Sequence, residues 1–391
     1  MPYVLPRAIS SADRLALVLV FGALSVLEAC SKVDGIRKVE MPCERVCVAE
    51  LDPQSQRSVT KLAGVHKLSP LLAHFTGDEG VIDQLIRTIL KETDVERFAV
   101  SAYEVPEGDH EALTRFMLDA FRAAGSKKVK LLRPRDGELL AEQVVSRDAL
   151  DIIAFPYKGG YGLGPTAWVP DPAQMRERDL AKPSPHPEIS LSPRLAQLLL
   201  NLSGLSAGQK LLDPFCGSGT ILTEGLFKSF TCIGMDSNPR RLRDAKRNLM
   251  WAKNSGARGT FALKLGDATN LGSALGSEKV DAVVTEPVLL PRIESRLGTA
   301  TATELVEPAG ETYAHALASM ADALRPGGRI VIVVPVVRTA EGSEVSISLD
   351  GAPLGLRQFQ PGLVSFQYPV RLSFESTRWI RRAVYVFESR R

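Results

Sequence analysis

Cysteine is scarce and unpatterned in this chain. Five occur among 391 residues, Cys30, Cys43, Cys47, Cys216 and Cys232. An odd number with no Cys-x-x-Cys pair argues against a disulfide framework and a structural zinc site, and no metal is expected. Long hydrophobic runs are missing too. The apolar stretch Leu15 to Leu27 is too short to span a bilayer. It has the length of a signal-peptide core, but Asp13 before it and Glu28 after it speak against export. It reads as a buried helix in a cytoplasmic protein with no membrane partner. Excess charge of one sign is also absent: 48 basic and 45 acidic residues leave a net +3. That excludes an argument for nucleic-acid binding from overall charge, so any such argument must come from local clusters.

The length suggests two domains. In the first, Val46 to Leu51, Arg97 to Tyr103, Val129 to Leu132, Ile152 to Phe155 and Ala167 to Val169 read as strands. Glu111 to Ala124 has a helical apolar stripe ending at Gly125, and Ser58 to His74 reads as helix in two pieces, broken at Gly64 and Pro70. This alternation describes a compact α+β domain over 1–169. Five prolines among charged residues mark 170–190 as an extended linker. Residues 191–391 then begin with a helix capped by Ser192-Pro193. From Lys210 onward strand, tight turn and helix repeat, with near-continuous apolar strands. The pattern describes a doubly wound parallel sheet covered on both faces, so the chain is α/β overall.

The strongest local signal is Asp213-Pro-Phe-Cys-Gly-Ser-Gly-Thr220, a glycine-rich turn between strand and helix. Gly217 and Gly219 let a ligand approach the backbone. No third glycine follows with dinucleotide spacing, and the Gly-Lys-Ser/Thr ending of a phosphate loop is absent. A carboxylate, Asp213, stands at the strand end instead, suited to a cationic or zwitterionic ligand. Asp236 ends the next strand, where it suits ribose hydroxyls. Asp267, followed by Ala268, ends the third and suits an adenine amino group. With Phe215 and Ser218 in the turn, these residues describe a site for S-adenosylmethionine. The fourth strand ends in Thr285-Glu286-Pro287-Val288-Leu289. An exocyclic amine is a poor nucleophile because its lone pair is delocalised. Glu286 and the Pro287 carbonyl can accept its two hydrogens. Val288 and Leu289 offer no ring on which a base could stack.

Ser192 to Gly204 followed by Asp213 to Leu222 resembles the THUMP-type tRNA guanine-N2 methyltransferases, especially the archaeal and eukaryotic enzymes that modify guanosine 10. The likeness continues through Gly234-Met235-Asp236, Gly266-Asp267-Ala268 and the closing region 378–388, and extends upstream to Lys61–Lys67 and to Thr166–Asp179. It implies a Rossmann-like methyltransferase domain preceded by a ferredoxin-like piece and a THUMP-like domain that grips tRNA. The implied activity is S-adenosylmethionine-dependent methylation of a guanine amino group in tRNA. The family's Asp-Pro-Pro-Tyr is replaced here by Glu286-Pro287-Val288-Leu289. That departure keeps two alternatives open: a tRNA-binding protein with weak or no turnover, and an amino-methyltransferase acting on DNA or protein. A small activating subunit is left open as a partner.

Local basic clusters agree with an RNA partner. Arg122, Lys127, Lys128, Lys130, Arg133 and Arg135 fall in a stretch without acids, Arg240, Arg243 and Arg247 share a helical face, and Arg371, Arg378, Arg381 and Arg382 recur near the end.

Overall fold

The computed structural model describes residues 12–134, 136–147, 149–184, 191–287, 290, 291, 293, 295–372 and 379–390. The chain divides into two compact units, 1–174 and 175–391.

The first unit runs β1 (Arg14–Leu19), α1 (Ala23–Lys32), β2 (Ile36–Cys43), β3 (Val46–Leu51), α2 (Gln56–Val59), β4 (Val65–Pro70), β5 (Ala73–Phe75), α3 (Glu79–Leu90), β6 (Arg97–Ala102), α4 (Glu107–Ala123), β7 (Lys130–Leu131), α5 (Ala141–Arg147), β8 (Leu150–Tyr157) and β9 (Gly160–Pro165). Its strands form two sheets, β2-β3-β1-β4 and β5-β9-β8-β6-β7. Two sequence expectations are corrected here. Leu15 to Leu27 is a strand and then a helix, because Gly22, at φ +53°, turns the chain between β1 and α1. The strand half pairs antiparallel with β3 and β4 and is buried on both faces, which explains an unbroken apolar run of strand length.

Ser58 to His74 holds helix only at Ser58 and Val59, the end of α2, and is strand over Val65–Pro70 (β4) and again from Ala73 (β5). Gly64 is needed there for close approach rather than for a break. A Cβ would sit 2.5 Å from Ser25 Oγ, while the buried Glu28 carboxylate accepts the Ala63 and Gly64 amides at 2.8 Å each. The expected strand at Ala167–Val169 reduces to one bridge between Trp168 and Leu68.

The segment read as an extended linker contains a helix, α6 (Pro172–Leu180), with Asp171 accepting from the Ala173 amide at its start. Pro172 at the first helical position favours helix, not extension, so proline density misled. Pro185, His186 and Pro187 lie outside the described residues.

The second unit continues α7 (Pro193–Leu202), β10 (Lys210–Asp213), α8 (Thr220–Phe227), β11 (Thr231–Asp236), α9 (Pro239–Asn254), β12 (Thr260–Leu265), α10 (Leu271–Leu275), β13 (Val280–Thr285), α11 (Thr299–Ala323), β14 (Leu324–Arg338), β15 (Glu344–Ser346), β16 (Leu356–Gln358), β17 (Val370–Arg371) and β18 (Ile380–Ser389). The sheet order is β12-β11-β10-β13-β14-β18-β16. The first five strands are parallel, as expected. The sheet as a whole is mixed, because β18 joins β14 antiparallel, with β15, β16 and β17 beside them.

Alternation along the strands covers both faces. A Cβ on Gly225 of α8 would touch Leu211 and Cys232 at 2.9 Å, so those residues face α8. Their neighbours Leu212 and Ile233 join Tyr313, Ala316, Leu317 and Met320 of α11 in one apolar cluster. The chain leaves β10 outward to β11 and β12, then returns to β13 on the other side of β10. The carboxyl ends of β10 and β13 are therefore the topological switch point, where open α/β sheets bind ligands.

Burial pushes all five thiols up: Cys30 and Cys43 to about 11, Cys232 to about 12, Cys47 and Cys216 further.

Candidate active site

The turn after β10 is held from three sides. The Cys216 amide donates to the Met235 carbonyl at 2.9 Å, and the Gly217 amide donates to Asp236 Oδ2 at 3.0 Å. Asn248 of α9, itself buried, donates to the Ser218 carbonyl at 2.9 Å and to the Ser184 carbonyl at 3.1 Å. Gly217 and Gly219 sit at φ +52° and +83°, the left-handed region that glycine tolerates, and Gly219 caps α8. A Cβ on Gly217 would meet nothing nearer than the Phe215 carbonyl at 4.0 Å, so the turn's backbone borders open space.

The three aspartates lie on one edge, at the ends of the adjacent strands β10, β11 and β12, but their settings differ. Asp213 is 1% exposed and lies beneath the turn. Its Oδ1 accepts from the Phe215 amide at 3.2 Å and from the Thr285 hydroxyl at 2.7 Å. Burial pushes its carboxyl up to about 7. The two donors oppose that shift, and the charges of Asp236 and Glu286 add to it. Asp236 is half-buried, and its Oδ1 also accepts the Asn238 amide at 2.8 Å. Asp267 is exposed. Its Oδ1 accepts both the amide and the hydroxyl of Thr269 at 2.9 Å, which holds the carboxyl below its ordinary range. Phe215 packs against the main apolar cluster, and Ser218 and Ala268 are buried, so their side chains shape the edge from within.

Glu286 and Pro287 follow β13 directly. The Asp213–Thr285 bond ties the residue before Glu286 to the first residue of the glycine turn, which brings the two motifs together. Arg382 of β18 donates from Nε to Glu286 Oε1 at 2.5 Å, with the side chains 16% and 9% exposed. Tyr313, buried nearby, has a hydroxyl without a hydrogen-bond partner among the described residues, and its titration is pushed up by burial and then by the Glu286 charge. Val288 and Leu289, the positions lacking a ring, lie outside the described residues.

Sequence reasoning gave Asn248 no role, and it named Thr285 and Arg382 without pairing them to Asp213 and Glu286. Asn248 was detectable as a polar residue on the apolar face of α9, whereas Thr285 and Arg382 reach their partners only through strand order. The closing arginines are not a free basic surface. Arg371 and Arg381 pair with Glu344 at 2.7 and 3.9 Å, Arg382 pairs with Glu286, and Arg378 lies outside the described residues. Arg122, Lys127, Lys128, Lys130 and Arg133 are exposed, and Arg135 lies outside the described residues.

Residues 183–342 match the family model described as UPF0020: RMKL-like, methyltransferase domain. A protein of Methanothermobacter thermautotrophicus named tRNA (guanine(10)-N2)-dimethyltransferase is 34% identical over 146 residues, 37% of this chain and 39% of that protein. The chain thus spans about two fifths of that relative's length. Among solved structures, TrmN from Thermus thermophilus matches with a TM-score of 0.53 at 18% identity, over 96% of this chain and 99% of that one. SMU.472, solved in complex with SAH, matches with a TM-score of 0.50 at 13% identity, over 97% and 98%. At these identities the two structures speak to the fold. Residues 183–342 are therefore similar to the UPF0020, RMKL-like methyltransferase domains, on a Rossmann-like methyltransferase fold.

Proposed function

We propose that this protein is an S-adenosylmethionine-dependent methyltransferase acting on the exocyclic N2 amine of a guanine in tRNA, of the position-10 type. One observation carries the reading. The Asp213–Thr285 hydrogen bond, at the switch point of the sheet, joins a glycine turn that borders open space to the strand end bearing Glu286 and Pro287.

The donor set fits the cofactor. Gly217 offers an uncovered backbone, Asp236 and Asp267 offer carboxylates suited to a ribose and an adenine amine, and the acidic edge suits a cation. Asp213, Phe215, Ser218, Gly219 and Ala268 hold that edge in shape. When bound, the cofactor supplies a methyl group on a sulfonium sulfur, open to attack by a nitrogen lone pair. The chain's part is orientation. The Glu286 carboxylate and the Pro287 carbonyl accept the amine's hydrogens and aim its lone pair. The bond from Arg382 Nε holds the Glu286 carboxylate in place at the strand end.

We assign 1–169 as the RNA-binding part, ferredoxin-like plus THUMP-like, joined through 170–190 to the catalytic domain 191–391. Its exposed Arg122–Arg133 cluster supports a phosphate-bearing partner. We place the protein in the cytoplasm, where tRNA is available. Among the described residues no helix is long and apolar enough to cross a membrane.

A second reading, a tRNA-binding protein with little turnover, is favoured by the tight Glu286–Arg382 pair. Incubation with labelled S-adenosylmethionine and total tRNA from a strain lacking the protein, followed by nucleoside mass spectrometry, decides between them. The expected product is N2-methylguanosine, with the rate falling about a hundredfold in Glu286→Ala. Tight tRNA binding without label would select the second reading. Label appearing only after a cell extract is added would point to a small activating subunit.

A further inference from the structure

α9 carries an unusual charge distribution for its position. It holds Arg240, Arg241, Arg243, Lys246, Arg247 and Lys253 against the single acid Asp244, and its first turn contains no acidic residue. Cations near a helix N-terminus work against the macrodipole, each costing some fraction of a kcal/mol in helix stability. A helix stabilised only for folding would place acids there. Arg247 is paired with Asp244 at 2.5 Å, whereas Arg240, Arg243 and Lys246 are exposed and make no ion pair with a described residue.

The same face also carries exposed apolar surface. Arg240, Arg243, Arg247 and Met250 recur at helical spacing, so they form one stripe. Met250 is 47% exposed and Trp251 half-buried beside it. Trp251 is steadied by an edge-on contact with Phe227, ring centres 6.5 Å apart. Together they line a groove of about 970 Å³ that is cationic at its N-terminal end and apolar at the other. An ordinary solvated face mixes both signs and keeps large apolar groups covered. α9 begins three residues after Asp236, so the cationic end of the groove starts beside the candidate cofactor edge.

We propose that this groove binds an unpaired segment of the RNA substrate. The unpaired cations take its phosphates, and Trp251 and Met250 take the face of a splayed base. Single-stranded nucleic acid is held by this combination of a cationic track and stacking platforms. The proposal rests on the tRNA reading above, and deepens it by assigning a contact outside the reacting site.

The test measures tRNA affinity of the full chain against salt concentration, alongside S-adenosylmethionine binding by calorimetry and a thermal melt. In Arg240→Gln/Arg243→Gln the slope of log affinity on log salt should shrink by roughly one per arginine, with affinity at least tenfold weaker. Cofactor binding and melting should match the parent protein. Trp251→Ala should weaken binding at least fivefold, and Trp251→Phe should restore most of it. If the double variant melts early, the exposed substitution Met250→Asp provides the same affinity test. Unchanged slope and affinity in these variants, or no tRNA binding by the parent, would overturn the proposal. Groove-dependent tRNA binding without methyl transfer would leave it standing and remove the enzymatic reading instead.

Discussion

Asp213 combines two demands that pull against each other. Its carboxyl is buried to brace the turn, and burial near Asp236 and Glu286 raises it to about 7. The folded chain therefore holds this proton more tightly than the unfolded chain does. The stability tied to the group is fully present below about pH 4 and is lost as pH rises toward 7, by about 4 kcal/mol at the limit. Asp213→Asn keeps an oxygen for Thr285 and Phe215 but has no proton to lose. Urea midpoints at pH 4.5 and 8 should show the variant gaining on the parent at the higher pH. A cationic ligand at the same edge favours the ionised carboxyl. Calorimetry near pH 7 in buffers of different ionisation enthalpy should then detect a proton released as the cofactor binds, absent in the variant.

The glycine turn and Asp213 were legible in sequence because a strand end, a turn and a helix start are contiguous there, and Asp236 and Asp267 because each closes its own strand pattern. What Asp213 touches was not legible. Thr285 lies 72 residues away and meets it only because β13 returns to the flank of β10. The Arg382–Glu286 contact, 96 residues apart, depends on β18 adding antiparallel beside β14.

Among the elements, α11 crosses a proline. It runs unbroken from Thr299 to Ala323 with Pro308 inside and exposed. Pro308 has no amide to donate to the Glu304 carbonyl, and its ring crowds that turn. The helix persists because Val306, Tyr313, Leu317 and Met320 bury one face against the sheet. Pro308→Ala should therefore stabilise the protein, by about 1 kcal/mol or more, read as a higher melting temperature. Sequence periodicity found α4, where the apolar stripe of Glu111–Ala124 runs unbroken to Gly125. It failed on Leu15–Leu27, where no period distinguishes a buried strand from a buried helix. It failed again on Ser58–His74, where Val65–Pro70 finds its partner in β1, outside any local window.

For the molecule as a whole, the N-terminal unit is joined by a charge cluster that no local pattern announces. Lys67 of β4, in one sheet, donates to Asp151 of β8, in the other, at 2.6 Å and to Ser101 of β6 at 3.1 Å. Ser101 and Thr166 donate to the same carboxylate, and Lys67 and Asp151 are both fully buried. Lys67→Met should destabilise the protein by about 3–5 kcal/mol in denaturant titration, because it leaves an uncompensated buried carboxylate. Adding Asp151→Leu should recover most of that loss. If the double variant stays as weak as the single one, the pair holds the sheets by something other than mutual neutralisation.

The shielded sulfurs described above have a practical corollary. With every native thiol held far from its reactive anionic form, electrophilic dyes find only slow partners in the folded chain at neutral pH. A fluorophore attached through Met250→Cys would then report from a single address on the arginine-lined helix, without first stripping out the five natural cysteines.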